Sequence, residues 1–266
     1  MRAAFLKGHK FMKKIAIITG ASSGIGWEFA LKLDMQEKFD EIWLIARREE
    51  KLLELSKMLR SPARAIPLDL TQYESYNAFK ALLESENPDI RVLINCSGFG
   101  KFGRYDDIPV EDALSMVDLN ARAPVALTEY ALPYMQAGAR ILQVASIAGF
   151  HPIPYLNVYA ATKVFLLNYS RALNYELKDR GITVTAVCPG WTKTPFFDVA
   201  TNGGTKKEVT KYTGMRTAEE MVLKALKSSK KGSDIAVLGL QNNAHRFLAK
   251  IVPYGAIMKI WDKIRK

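Results

Sequence analysis

Ile15-Ala16-Ile17-Ile18-Thr19-Gly20-Ala21-Ser22-Ser23-Gly24-Ile25-Gly26 is the stretch on which the fold turns. An unbroken apolar run ends in a glycine-rich turn, and a helical pattern opens near Ile25. Glycines permit positive φ and let backbone amides approach a bound group closely, while a helix N-terminus offers unpaired N–H groups and a partial positive charge. Strand, turn and helix in that order therefore predict a site for a pyrophosphate, against the plainer reading of an ordinary glycine turn. The strand itself does not alternate polar and apolar residues, as one buried on both faces of a parallel sheet would not.

The same pattern repeats outward along the chain. Apolar, β-branched runs at Lys14–Thr19, Glu41–Ala46, Arg64–Leu68, Arg91–Cys96, Arg140–Ala145, Ile182–Cys188 and Asp234–Leu238 alternate with longer helical stretches. Seven strands separated by helices predict an α/β fold, a doubly wound seven-stranded parallel sheet with helices on both faces. Within 157–180, Phe165, Leu166, Tyr169, Leu173 and Leu177 recur at helical steps before Gly181 stops the helix. At 266 residues and 48% hydrophobic, the chain suits one such domain, expected over 12–240 between an N-terminal extension (1–11) and a C-terminal tail (241–266). Met12 stands just before the first strand as an alternative start. Trp191 to Thr217, rich in Thr, Gly and Lys, reads as a mobile loop.

The TGxxxGxG spacing of the turn resembles that of the short-chain dehydrogenase/reductase family, and the similarity runs through most of residues 13–240. The resemblance implies a single Rossmann-fold domain and a nicotinamide dinucleotide held by Gly20, Ser22, Ser23, Gly24, Ile25 and Gly26. Asn95-Cys96-Ser97-Gly98 stands where the family usually has Asn-Asn-Ala-Gly, which carries Asn95 and Gly98 into the expected cofactor site. Asp69 and Leu70 are placed beside the adenine by the same resemblance. Pro189, Gly190, Thr192 and Thr194 fall in the segment that holds the nicotinamide carboxamide.

Charge at the end of the second strand bears on which dinucleotide is bound. A carboxylate there would repel a 2′-phosphate, but this chain has Ala46-Arg47-Arg48. Guanidinium groups at that point can grip the phosphate of NADP(H), although the two arginines could equally begin a charged, solvated helix.

Tyr159-Ala160-Ala161-Thr162-Lys163 sets a phenol and an amine on one helix face. The ammonium, joined by a cationic nicotinamide, is expected to lower the phenol from its ordinary value of about 10 and make it a usable acid or base. Tyr–Lys pairs at this spacing are common, so the surrounding motifs decide. Ser146 follows the fifth strand and precedes Tyr159 by thirteen residues, the family separation, which implies that both touch the substrate oxygen. Asn120 matches the fourth member of the family's catalytic set, its backbone carbonyl implied to hold a water in a proton relay through Lys163. The reaction implied is hydride exchange between NADP(H) and a carbonyl or alcohol.

Composition narrows the partners. The net charge of +11 is concentrated at the ends: Arg2, Lys7, Lys10, Lys13 and Lys14 stand without an acid, and Arg246, Lys250, Lys259, Lys263, Arg265 and Lys266 face only Asp262. A nearly neutral body argues against nucleic acid as a partner. Cys96 and Cys188 form no CxxC pair and suggest a reduced, cytoplasmic compartment; His9, His151 and His245 show no metal-ligand spacing, so no metal is expected. Phe99, Phe102, Phe150, His151, Tyr155, Trp191, Phe196 and Phe197 follow strand ends, where they could line a pocket for a bulky apolar substrate or merely pack. In the tail, Pro253 divides a helical pattern, after which Tyr254, Ile257, Met258, Trp261 and Ile264 share a face. Three fates are open to it: covering the pocket, joining the subunits of a homodimer or homotetramer, or peripheral contact with an anionic membrane. Burial is the expected one.

Overall fold

The computed structural model describes residues 12–201 and 208–266. Its strands are β1 (Lys14–Thr19), β2 (Glu41–Ala46), β3 (Ala63–Pro67), β4 (Asp89–Asn95), β5 (Arg140–Val144), β6 (Thr183–Cys188), β7 (Thr192–Lys193), β8 (Arg216–Thr217) and β9 (Ile235–Val237). Seven of them make a parallel sheet in the order β3-β2-β1-β4-β5-β6-β9, with β7 and β8 paired separately. The helices are α1 (Gly24–Gln36), α2 (Glu49–Ser56), α3 (Tyr73–Glu86), α4 (Val110–Val117), α5 (Ala123–Ala131), α6 (Asn157–Glu176), α7 (Phe196–Ala200), α8 (Ala218–Lys230), α9 (Leu240–Ile251) and α10 (Tyr254–Ile264).

Successive residues of β1 supply opposite faces of the sheet. Ile15 and Ile17 pack with Phe79 and Leu83 of α3, Leu127 of α5 and Leu173 of α6. Ala16 and Ile18 pack with Phe29 and Leu33 of α1, Leu52 of α2 and Val222 and Leu226 of α8. Both faces are thus covered, which is why the strand reads apolar throughout. Strand order reverses between β1 and β4, and the crevice this leaves at their carboxyl ends is where an open α/β sheet binds its ligand.

One expectation needs correction. The stretch from Trp191 to Thr217 is partly built, since β7, α7 and β8 lie within it. Its aromatic residues Trp191, Phe196, Phe197 and Tyr212 collapse with Phe102, Ala200 and Val209 into a core of their own, an order that leaves no period in the sequence. The tail is helical and divided at Pro253, as its pattern implied, with α9 starting directly after β9. The N-terminal extension 1–11 lies outside the described residues, as does the expectation that it is dispensable.

Candidate active site

The turn after β1 is shaped by its glycines. Gly20 (φ +66°) and Gly24 (φ +57°) occupy left-handed backbone, and a Cβ on Gly26 would meet the Gly20 carbonyl oxygen at 2.3 Å. Only glycine lets α1 start so close beneath the turn. Thr19, buried at the end of β1, accepts hydrogen bonds from the backbone N–H of Cys96 (2.9 Å) and of Ser97 (3.0 Å), tying the turn to the end of β4. Ser23 caps α1 without a side-chain bond, and no acid stands in the first turn. The N-terminus is therefore left positive and available to an anion.

Beside it, Arg48 donates to the Ser22 backbone oxygen (3.3 Å) and hydroxyl (3.0 Å). Arg47 extends into solvent, 74% exposed, with Asp69 4.0 Å away. Asp69 accepts from the backbone N–H and hydroxyl of Thr71, so its carboxylate is turned into its own loop. Two guanidinium groups and a preformed turn meet at one end of the crevice.

At the other end stands the set carried by β5 and α6. Ser146 closes β5, and its hydroxyl accepts from the Ala148 N–H at 3.1 Å and lies 3.4 Å from the Pro189 carbonyl. Its hydrogen bond with Tyr159 pulls the phenol down, yet burial outweighs it and holds the phenol up at about 12. Burial likewise pushes the Lys163 amine down to about 8. The ammonium donates to the Val144 carbonyl at 2.8 Å and sits 5.6 Å from the centre of the Tyr159 ring. Within the chain, desolvation of the buried phenolate thus outweighs the hydrogen bond from Ser146 and holds the phenol above its ordinary value, whereas a cationic nicotinamide beside it would act the other way.

Asn120 lies in a π-turn, Asp118–Arg122, between α4 and α5. Such turns often mark functional positions in helices. Its side chain is fully engaged, accepting from the Phe99 N–H (3.0 Å) and donating to the Phe99 carbonyl (2.8 Å) and the Thr162 hydroxyl (3.1 Å). It is a fixed post beneath Gly98, where a Cβ would meet Asn120 Oδ1 at 2.8 Å and the Lys163 amine at 3.4 Å.

One cavity of about 950 Å³ joins both ends. Gly20, Ser22, Ser23, Gly24, Ile25, Gly26, Arg47, Arg48, Asp69, Leu70, Gly98, Ser146, Tyr159, Lys163, Pro189, Gly190, Thr192 and Thr194 all line it. Asn95 does not. It is buried in the sheet, donating to Thr128 at 3.1 Å beside Gln143, which donates to the same hydroxyl at 2.9 Å. The outer wall is apolar and aromatic: Phe102, Ile153, Leu156, Trp191, Phe196 and Phe197, closed by Ile257, Ile260 and Trp261 of α10. Trp261 donates to the Pro154 carbonyl at 2.9 Å, and the Arg265 guanidinium stands 3.8 Å over the Tyr155 ring while bonding Glu208 at 2.6 Å. The tail is a strap across the substrate end.

Sequence reasoning missed the cavity-facing side of α9. Its inner face brings Gln241 against Gly214 and Asn242 against Gly190. His245 reaches His151, Nε2 to Nε2 at 2.6 Å. His151 Nδ1 lies 2.8 Å from the Pro152 carbonyl and must carry its proton, so its Nε2 accepts and His245 donates. Burial lowers both, His245 to about 4, which keeps the pair neutral. The available signal was the spacing of Gln241, Asn242, His245 and Ala249 on one helix face.

A family model described as "short chain dehydrogenase" matches residues 14–203. An uncharacterized oxidoreductase of Staphylococcus epidermidis is 32% identical over 200 residues, covering 74% of this chain and 86% of its own. Among solved structures, a short-chain dehydrogenase from Sphingobium yanoikuyae in complex with NADPH superposes with a TM-score of 0.77 at 27% identity, covering 95% of this chain and 97% of that one. A bulky-bulky ketone specific alcohol dehydrogenase from Comamonas testosteroni follows with a TM-score of 0.69, 26% identity and coverage of 90% and 94%.

Proposed function

Because the chain belongs to the short-chain dehydrogenase family, we propose that it is an NADP(H)-dependent oxidoreductase interconverting a bulky, apolar ketone or aldehyde and its alcohol. The observation that carries this reading is the single cavity that has Gly20–Gly26, Arg47 and Arg48 at one end and Ser146, Tyr159 and Lys163 at the other. The NADPH bound by the Sphingobium relative and the bulky ketones of the Comamonas relative support the cofactor and the substrate class.

The α1 N-terminus and the amides of the glycine turn would hold the pyrophosphate, and Arg47, on the open side of the crevice, the 2′-phosphate. Arg48 would stiffen the turn through Ser22. Gly190, Thr192 and Thr194 would hold the nicotinamide end. When bound, NADPH supplies a hydride from the nicotinamide ring. Tyr159, a full phenol at neutral pH, donates its proton to the substrate oxygen, and the Ser146 hydroxyl steadies the charge developing there. Lys163 supplies positive charge behind the phenol, and Asn120 fixes the floor on which Gly98 lies. For oxidation the phenol must first be deprotonated, and a cationic ring beside it would offset the burial that now holds it up.

The apolar wall from Phe102 to Trp261 supports a substrate such as a steroid or an acyl chain. Exposed Val110, Leu114 and Val117 of α4 with Phe165 of α6 support a homodimer or homotetramer, and the unpaired thiols of Cys96 and Cys188 a reducing, cytoplasmic setting. Following NADPH absorbance across steroid, acyl and sugar carbonyls tests the reading. Oxidation with apolar ketones is expected. Protein that binds NADPH and turns over none of them would instead be a cofactor-binding regulator.

A further inference from the structure

The two faces of α9 differ. Inward, Gln241, Asn242, His245 and Ala249 close the active-site cavity. Outward, Leu240, Ala244, Phe247 and Ile251 recur at steps of four, three and four and form an apolar stripe left exposed among the described residues. Leu240 is 91% exposed, Phe247 64% and Ile251 62%. Tyr254, Ile260 and Ile264 of α10 extend this surface at 53%, 55% and 56%. Large side chains left bare together in this way mark a docking surface. Of these, Ile260 and Ile264 also line the cavity, so the surface borders its mouth.

Charge decides what sits there. The sequence of α9 contains no acid, and the sole acid of α10, Asp262, is bonded to Arg265. Arg246, Lys250, Lys259 and Lys263 form no ion pair among the described residues. A second copy of the chain brought against this face by two-fold symmetry would set cations against cations. An anionic lipid surface satisfies both the apolar stripe and the flanking bases. Among the described residues no helix is long and apolar enough to cross a membrane, so contact would be peripheral.

We propose that the outer face of α9, with the exposed edge of α10, docks on an anionic lipid surface. The stripe enters the headgroup region while the inner face of the same helix stays on the cavity. Docking does not depend on the reductase reading and is tested without turnover.

The experiment is co-sedimentation of the full chain with vesicles of phosphatidylcholine alone and with about 30% phosphatidylglycerol, at about 0.15 M salt. The wild type is expected to sediment with the anionic vesicles and remain largely free of the neutral ones. Phe247→Glu/Ile251→Glu should lower the bound fraction about tenfold with an unchanged melting temperature, since both side chains are exposed. Lys250→Glu/Lys263→Glu should do the same and serves as an independent second variant. Failure of the wild type to sediment with anionic vesicles overturns the proposal, as does equal binding by both double variants. A Phe247→Glu/Ile251→Glu protein that changes its mass by light scattering yet binds vesicles as before also overturns it, and assigns the face to a subunit contact.

Discussion

The two ends of the cavity are made in different ways. At the dinucleotide end, backbone does the work: Gly20 and Gly24 in left-handed conformations, the bare N-terminus of α1, and Thr19 tying β1 to β4. At the substrate end, side chains from β5, α6, α9 and α10 meet from positions far apart, as His151 and His245 do across 94 residues. Backbone sites need particular residues at particular local steps, and such steps can be read from sequence. Side-chain sites need only that a cluster closes, and many sequences close one. The first end is therefore expected to respond to change by all-or-none loss of binding, the second by graded loss of fit.

Between the ends lies the chemistry, where the largest effect is expected. Tyr159→Phe keeps the ring that packs 5.6 Å from Phe196 and removes the proton. Turnover should fall by about 10²- to 10⁴-fold, while NADPH binding measured by fluorescence stays within about twofold. Residual activity near the wild-type rate would place the proton donor elsewhere.

The next effect concerns pH. Because Tyr159 keeps its proton up to about 12, the acid itself is not lost in the working range. Lys163 is held near 8, so its charge disappears as pH rises through that value. Reductive kcat/KM should then fall about tenfold per pH unit above about 8, a limb that Lys163→Arg should abolish because a guanidinium stays charged. The stability sign is opposite. The folded form binds this proton less tightly than an unfolded lysine at 10.5, so Lys163 contributes rising stability between about 8 and 10.5. A flat kcat/KM profile from 7 to 10 would show that the amine's charge is not used.

Legibility in the sequence follows the same division. All seven strands of the sheet were found, because continuous apolar runs between helical patterns leave few alternatives. Thr19, Gly20, Gly24 and Gly26 declared their turn, and Ser146, Tyr159 and Lys163 do line the crevice. Asn95 was carried into the cofactor site by its motif, but its side chain is buried and its amide nitrogen is spent on Thr128. Burial holds the phenol up against the pull expected from Lys163 and a cationic nicotinamide, since spacing on a helix shows a neighbour and not the burial around it. Order in the segment after Trp191, and the inner face of α9, depended on contacts between distant residues that no local period records.

A smaller effect sharpens the dinucleotide end. Arg48 is already engaged with Ser22, whereas Arg47 is free in solvent apart from a distant approach to Asp69. Arg47→Ala should weaken NADPH binding by about 1.5–3 kcal/mol, roughly ten- to a hundredfold, and leave NADH nearly untouched. Arg48→Ala should weaken both cofactors, because the turn it holds serves the pyrophosphate common to them. Equal losses for NADPH and NADH in Arg47→Ala would make it the start of a charged helix and no more.

The smallest effect, and the one that separates the two ends, is in the strap. Trp261 is fixed to the Pro154 carbonyl, and Arg265, itself buried, holds Glu208 while covering Tyr155. Tyr155 sits at φ +67°, a conformation that a bulky residue takes only when its surroundings insist, and the guanidinium above its ring is part of those surroundings. Hydrogen bonds from Lys266 and Arg265 hold the Glu208 carboxyl below its ordinary value. A depressed carboxylate contributes its stability above the unfolded value and loses it as pH falls through the folded one, so the strap should stay closed in mild acid and loosen only below the usual carboxylate range. Deleting residues 254–266 removes Trp261 and both cations at once. With the hydrogen bonds to Pro154, to Glu208 and to the Thr210 and Lys211 backbone gone from the substrate end, KM for an apolar ketone should rise about three- to tenfold while NADPH affinity is unchanged. Among the described residues the cofactor end shares no bond with α10, so a parallel loss of NADPH binding would show that the two ends are mechanically one, and that the division into backbone-made and side-chain-made halves does not survive in function.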